Sequence, residues 1–352
     1  MKIGRILFNV LFSALLFVIV SGCGKAGEDP SGRGNNVKAA DKACGIAMDT
    51  VFDVTVYGGG PLSSDILEAG NELDSKVLSR FTDSLLASYD GSSDSQAEIF
   101  GRNVGLGQII EKCDKISLDS GGAFDIRLGM LSDLWNIDSA AKDESVFSFP
   151  SAESVIAASG DRSVYDLGSV GKGVFLDLAH GMLSDSEASC AVVSAGGSVL
   201  TYGEKPDGSH FKVAIKSPFK GSEDIYGLID LTGTHYISTS GIYERYTEYN
   251  GVLYHHILDP ETGYPAWTPE DIAAKSKKYE GPFPVSVTVI AGSGLESDAL
   301  STACFVLGAS EGMELAEKYD AEVIYIFDDG TCIYSDGLKK TDGTAVVFSL
   351  RG

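Results

Sequence analysis

Twelve consecutive residues, Tyr254-His255-His256-Ile257-Leu258-Asp259-Pro260-Glu261-Thr262-Gly263-Tyr264-Pro265, set imidazole, carboxylate and hydroxyl groups among turn formers. An imidazole titrates near neutral pH, so His256 suits a general base; a satisfied strand histidine is the plainer alternative. On an extended chain His255 faces the opposite side. Further along, Asp298-Ala-Leu-Ser-Thr302 lies in a helical pattern that puts Asp298 and Thr302, four apart, on one face. Their hard oxygens suit Mg²⁺, which takes few protein ligands and fills its shell with water and phosphate. Otherwise Asp298 caps a surface turn and Thr302 bonds a backbone carbonyl.

Two glycine-rich stretches add to these groups. In Tyr165-Asp-Leu-Gly-Ser-Val-Gly-Lys-Gly173, Gly168, Gly171 and Gly173 surround Lys172 at the start of a helical pattern. Backbone N–H groups, a helix N-terminus and an ammonium suit phosphate there, although the glycines also serve simply to start a helix tightly. The spacing is not that of a Walker loop. Ser194-Ala-Gly-Gly197, after an apolar strand, makes either a backbone wall for a flat ring or an ordinary turn. Thr239 and Ser240 precede Gly241 without the G-x-S-x-G elbow, which argues against a hydrolase triad.

The elements that must position these groups follow from periodicity. Strands are expected over 46–57, 190–195, 211–216, 225–231, 252–258, 285–291 and 321–327, with a final hairpin through Val346 and Val347. Helical spacing predicts helices over 65–79, 105–116, 126–135, 173–183, 294–307 and 310–319. A Gly-rich loop, Ser120-Gly-Gly-Ala-Phe-Asp125, precedes the third, and a polar stretch runs from about 138 to 163. Helices grouped beside antiparallel strands point to an α+β fold.

Net charge of −23 argues against a nucleic-acid partner and against basic adhesion to anionic lipid. At the start of the chain, Lys2 and Arg5 precede the apolar run Ile6–Val20 and the small residues Ser21-Gly22, in the manner of an export signal. Val20-Ser21-Gly22-Cys23 resembles the bacterial lipobox, so residues 1–22 are expected to be a lipoprotein signal peptide and Cys23 the acylated first residue of the mature chain. Residues 24–43 are polar and Gly-rich, as a flexible tether would be, leaving residues 44–352 for the folded domain. The five remaining cysteines form an odd set, and Cys113, Cys190 and Cys304 lie among apolar residues as small core side chains.

The order of these motifs resembles that of the ApbE family, the FAD:protein FMN transferases. The matching pieces are Gly121-Gly-Ala-Phe-Asp125 with Trp135, Asp166-Leu-Gly-Ser-Val-Gly-Lys-Gly173, Ser194-Ala-Gly-Gly197, Thr239-Ser-Gly-Ile-Tyr-Glu-Arg245, His256-Ile-Leu-Asp-Pro-Glu-Thr-Gly-Tyr-Pro265, and Val287–Ala291 followed by Asp298-Ala-Leu-Ser-Thr302. The resemblance implies an ApbE-like, T-fold-like, two-lobed architecture with FAD bound between the lobes. It implies Mg²⁺ on Asp298, Thr302 and a backbone carbonyl near Gly168 or Ser169. Lys172 would lie near the adenosine diphosphate, Met48 near adenine, Asp125 in the nucleotide site, and Gly196-Gly197 along the flavin. His256 would ready the hydroxyl of an acceptor flavoprotein subunit, with Asp298 as its catalytic partner through the metal. The implied site is extracytoplasmic, on a lipid-anchored protein at a bacterial membrane. Hydrolysis of FAD to FMN and AMP, or non-catalytic FAD binding, are the alternatives. The family's Met-Gly-Thr stands here as Met48-Asp49-Thr50, and residues 266–284 make a longer connection than the family's, expected as a lid or an acceptor contact.

Overall fold

The structure, a computed structural model, describes residues 40–219, 225–277, 281–339 and 346–350. The expected signal segment, Cys23 and nearly all of the expected tether lie outside those residues. Among the described residues no helix is long and apolar enough to cross a membrane.

The fold starts earlier than the tether boundary at residue 43 allowed. Strand β1 (Asp41–Ala47) pairs antiparallel with β2 (Thr50–Gly58), from Asp41↔Val56 to Ala47↔Thr50. The single strand expected over 46–57 is therefore part of a hairpin. Met48 and Asp49 form its two-residue turn, both left-handed, at φ 48° and 58°. Hairpins of this length need positive φ at their turn positions, which glycine adopts freely and Asp tolerates. Asp41 is fixed by a second role. Its Oδ2 accepts the N–H groups of Leu62 and Ser63, each at 2.7 Å, and so caps helix α1 (Ser63–Leu73) from a neighbouring strand.

After α1 and its π-helical extension Asp74–Leu78 comes the small hairpin β3 (Gln96–Ile99) and β4 (Arg102–Gly105), then α2 (Leu106–Asp119) and the short α3 (Gly129–Trp135). The polar stretch expected near 138–163 holds two more helices, α4 (Ile137–Lys142) and α5 (Ala152–Gly160). Ser151 caps α5 by accepting the Ser154 N–H at 3.2 Å. Helix α6 (Gly171–Ser184) leads into β5 (Ala188–Ala195), β6 (Ser198–Gly203), β7 (Phe211–Lys216), β8 (Ile225–Leu231) and β9 (His235–Gly241). The hairpin β10 (Tyr246–Tyr249) and β11 (Val252–His255) follows, then α7 (Pro269–Ala274), β12 (Pro284–Ala291), α8 (Gly294–Leu307), α9 (Ala309–Lys318), β13 (Glu322–Phe327), β14 (Cys332–Tyr334) and β15 (Val346–Leu350).

One eight-stranded antiparallel sheet, in the order β1-β2-β5-β6-β9-β12-β13-β14, is the spine. Strand alternation sorts its side chains. Phe52, Val54, Val56, Ala191, Val193, Val287 and Val289 turn toward α1, α6 and α8. Val192, Val199, Ile237, Ile324 and Ile326 turn toward a second sheet of order β15-β8-β7. With both faces covered, the central strands β5, β9 and β12 are buried along nearly their whole length, small hydroxyl residues included. The last strand pairs with β8, not with a sequence neighbour as expected, because Phe348 packs into the core between the two sheets.

The smaller lobe is a separate cluster in which Leu131, Trp135, Ile137 and Val155 pack against Tyr254 and Leu258. Trp135 lies parallel to Tyr254 at 5.8 Å and donates its indole N–H to the Gly263 carbonyl at 2.8 Å. The lobe is thereby tied to the histidine-bearing stretch. The start of the 266–284 connection is core, not lid: Ala266, Trp267, Thr268 and Asp271 are buried, and Trp267 Nε1 donates to the Phe305 carbonyl at 2.8 Å. Buried Asp259 pairs with Lys275 Nζ at 2.8 Å, which locks α7 to the loop after His256. Residues 278–280 of that connection lie outside the described residues.

Candidate functional site

Helices α6 and α8 cross where two glycines meet. A Cβ on Gly173 would run into the Gly294 carbonyl oxygen and stand 2.8 Å from Asp298 Cβ, so only glycine lets the backbones come this close. Each helix then caps the other. Asp177 of α6 accepts the N–H groups of Gly294 and Leu295 at 2.6 and 3.0 Å, and Asp298 Oδ2 of α8 accepts the Gly173 N–H at 2.9 Å. Both exchanges use the unpaired donors of a first helical turn.

Asp298 is buried. Its Oδ1 accepts from Ser198 Oγ at 3.3 Å and lies 3.8 Å from Lys172 Nζ. Burial pushes its carboxyl above the ordinary range, while Lys172 and the Gly173 N–H pull the other way. A buried carboxylate with one loosely held cation beside it has room for more positive charge. The rest of that helix face is hydroxylic, because a strand period of two meets a helix period of three to four. Ser238 of β9 contacts Ser198 and Ser297 at 3.1 and 2.9 Å. Ser240, two residues on, contacts Ser301 and Thr302 at 2.8 and 3.3 Å. Ser240 is therefore part of this ladder and no nucleophile, while Thr239 faces away and bonds Thr288 at 2.9 Å.

The two adjacent histidines separate as the strand period requires. His255 Nε2 donates to the Ala266 carbonyl at 2.9 Å and Nδ1 accepts the Ile257 N–H, so the ring is fully used, and burial holds its pKa down to about 4. His256 Nδ1 lies 3.2 Å from the Arg245 carbonyl. A carbonyl can only accept, so Nδ1 carries the hydrogen and Nε2 keeps its lone pair. Burial first, then the charges of Arg245 and His255, hold this imidazole well below its ordinary value. His256 is a neutral base whose Nε2 has no partner among the described residues.

The glycine wall stands where the sequence placed it. Gly196 takes φ 56° in the β5–β6 turn, and a Cβ on Gly197 would meet Glu244 Oε1 at 2.6 Å. Met48 lies over the start of α6, its Sδ 3.6 Å from where a Gly171 Cβ would stand. Asp125 sits farther out, paired with Arg162 at 3.4 Å and Arg127 at 3.6 Å. Arg162 in turn donates to the Pro260 carbonyl at 3.1 Å. Ser169 is half-buried in the turn before α6, and its side chain makes no hydrogen bond among the described residues. The structure thus gathers Lys172, Asp298, Thr302 and His256 with the wall beside Glu244, and leaves Asp125 as a link to the histidine loop. Sequence reasoning missed Asp177, Ser198, Ser238 and Glu244. The Ser-Thr-Ser alternation at 238–240 was the one usable signal. Cys113, Cys190 and Cys304 are buried free thiols, as expected. Among the described residues no three His, Cys, Asp or Glu side chains gather as a metal cluster.

A sequence model described as the ApbE family matches residues 48–327. The chain belongs to the ApbE family. Among its relatives, an FAD:protein FMN transferase of Klebsiella pneumoniae (strain 342) is 27% identical over 340 residues, covering 89% of this chain and 90% of the relative. One of Escherichia coli (strain K12) is 29% identical over 276 residues, covering 72% and 71%. Solved family structures share the fold. The ApbE protein of Thermotoga maritima superposes with a TM-score of 0.68 at 26% identity, over 86% of this chain and 98% of the other. The flavin transferase ApbE of Vibrio cholerae gives 0.66 at 23%, over 85% and 98%.

Proposed function

We propose that this protein transfers FMN from FAD to a Thr or Ser hydroxyl of an acceptor protein, releasing AMP. The observation that carries the reading is a neutral His256, its Nε2 without a partner among the described residues, close enough to Lys172 to feel its charge, with Lys172 in turn 3.8 Å from Asp298, on a chain of the ApbE family.

The donor set suits Mg²⁺. Asp298, Thr302 and the carbonyl of Ser169 would hold it, with water and phosphate oxygens completing the shell, which fits a donor set with a single carboxylate. When bound, Mg²⁺ neutralises charge building on the pyrophosphate oxygens.

The chain's own groups account for the remainder. Lys172 offers a second cation to phosphate, Gly196-Gly197 accept the flat ring, and His256 Nε2 takes the proton of the acceptor hydroxyl. The hydroxyl oxygen forms a bond to the FMN phosphorus as the bond from that phosphorus to the AMP oxygen breaks. The acceptor is a flavoprotein subunit, and the enzyme is held outside the cytoplasm by acylation at Cys23. Full-chain protein incubated with FAD, Mg²⁺ and an acceptor domain should add the mass of one FMN to the acceptor and release AMP. AMP without a mass gain would indicate the pyrophosphatase instead, and intact bound FAD a binding protein.

A further inference from the structure

We propose that Glu244 is a ligand-binding carboxylate that accepts a hydrogen bond from an N–H or O–H donor on the flavin half of the dinucleotide. The inference rests on FAD as substrate and adds a contact that fixes which half of it lies where. Glu244 follows Tyr243, whose ring covers Gly241, and precedes Arg245, whose carbonyl orients His256. It therefore stands between the glycine wall and the base. Its Oε1 occupies the space that a Cβ on Gly197 would need, at 2.6 Å.

The carboxylate has no hydrogen bond or ion pair of its own among the described residues. Two of the three cations whose charge reaches it are engaged elsewhere: Arg245 binds Asp138 through two 3.0 Å contacts, and Lys172 pairs with Asp298. Burial pushes the Glu244 carboxyl up against the pull of Lys172 and Arg245. Glu244 is half-buried and its carboxylate is not committed to a protein partner, so a ligand donor can pair with it without displacing an existing bond. Phosphate oxygens are anionic acceptors and would be repelled, so the pyrophosphate belongs on the Lys172 side. The donors FAD offers beyond its phosphates on the flavin side are the ring imide N–H and the ribityl hydroxyls.

Binding of FMN, FAD and AMP to wild type, E244A and E244Q, measured by flavin fluorescence and calorimetry on the full chain, tests this. E244A should weaken FMN and FAD alike by at least about tenfold and leave AMP unchanged, and E244Q, which keeps an acceptor oxygen, should recover most of the loss. If the imide is the donor, an FMN methylated at that nitrogen binds wild type as weakly as FMN binds E244A; if a ribityl hydroxyl is, the methylated ligand binds wild type normally. Unchanged FMN affinity in E244A, equal losses for FMN and AMP, or E244Q no better than E244A would overturn the assignment. A wild type that binds neither FMN nor FAD would instead remove the transferase reading itself.

Discussion

Gly173 donates its backbone N–H to Asp298 Oδ2 at 2.9 Å, so the first turn of one helix and the carboxylate of another hold each other in place. That bond leaves Oδ1 to Ser198 and Lys172 and directs it away from the helix crossing. The carboxylate is thus oriented before any ligand arrives, which is the condition under which a fixed charge is most effective.

Asp298→Ala should lower AMP release from FAD by about 10²–10³-fold, the cost of losing a preorganised electrostatic group. It should also remove the Mg²⁺ dependence of what turnover remains. Asp298→Asn keeps an acceptor for Gly173 and should fold with a thermal midpoint near wild type while sharing the activity loss. Calorimetry of Mg²⁺ binding and a coupled AMP assay on both variants check this, and wild-type Mg²⁺ affinity in Asp298→Ala would refute the ligand assignment.

Gly173→Ala and Gly171→Ala separate close approach from helix propensity. At Gly171 a Cβ would rest 3.5 Å from Leu78 and 3.6 Å from Met48 Sδ, ordinary contacts, so the substitution should be neutral or stabilise slightly. At Gly173 the new methyl meets the Gly294 carbonyl, and the crossing must open, at about 1–3 kcal/mol or more. Thermal melts should show a lowered midpoint for Gly173→Ala alone, and its activity should fall with it because Asp298 moves.

How far the sequence foretold this site depended on the kind of pattern involved. Asp298, Thr302 and helix 294–307 followed from one helical period, and the 211–216 and 225–231 strands from alternation. Both signals are local. Asp177 was invisible because its partners, Gly294 and Leu295, lie more than a hundred positions away and ask only for a carboxylate on the right face of α6. The β1 strand was hidden because, at the sheet edge, the side chains of its alternate residues stay exposed and its hydrogen bonds come from β2. Glycine in the family's Met-Gly-Thr is accounted for by the left-handed turn at Asp49, a backbone demand that no periodicity reports.

His256→Ala should lower transfer by about 10²–10⁴-fold, the range for a lost general base, with FAD affinity changed little. Because burial, Arg245 and His255 hold the imidazole well below 6.5, the group is already neutral at pH 6.5. The wild-type rate should therefore show no inflection near 6.5 on the acid side and should decline only at distinctly lower pH. An inflection at the free-histidine value in single-turnover transfer would mean that another group is the base.

His255, its neighbour, should govern stability and not rate. Its folded value of about 4 lies below the 6.5 of the free side chain, so between those limits the unfolded chain takes up a proton that the native chain refuses. The contribution is complete above pH 6.5 and is lost as pH falls toward 4, by about 3 kcal/mol across the window. His255→Asn gives up the ring's packing against Phe305, at 5.6 Å between centroids, and should be the less stable protein at pH 7. Since Asn does not titrate, the gap to wild type should close as pH is lowered through that range. Urea unfolding midpoints of both proteins at pH 7, 5.5 and 4.5 measure it, and a gap that stays constant would show that the buried ring is not what ties the fold to pH.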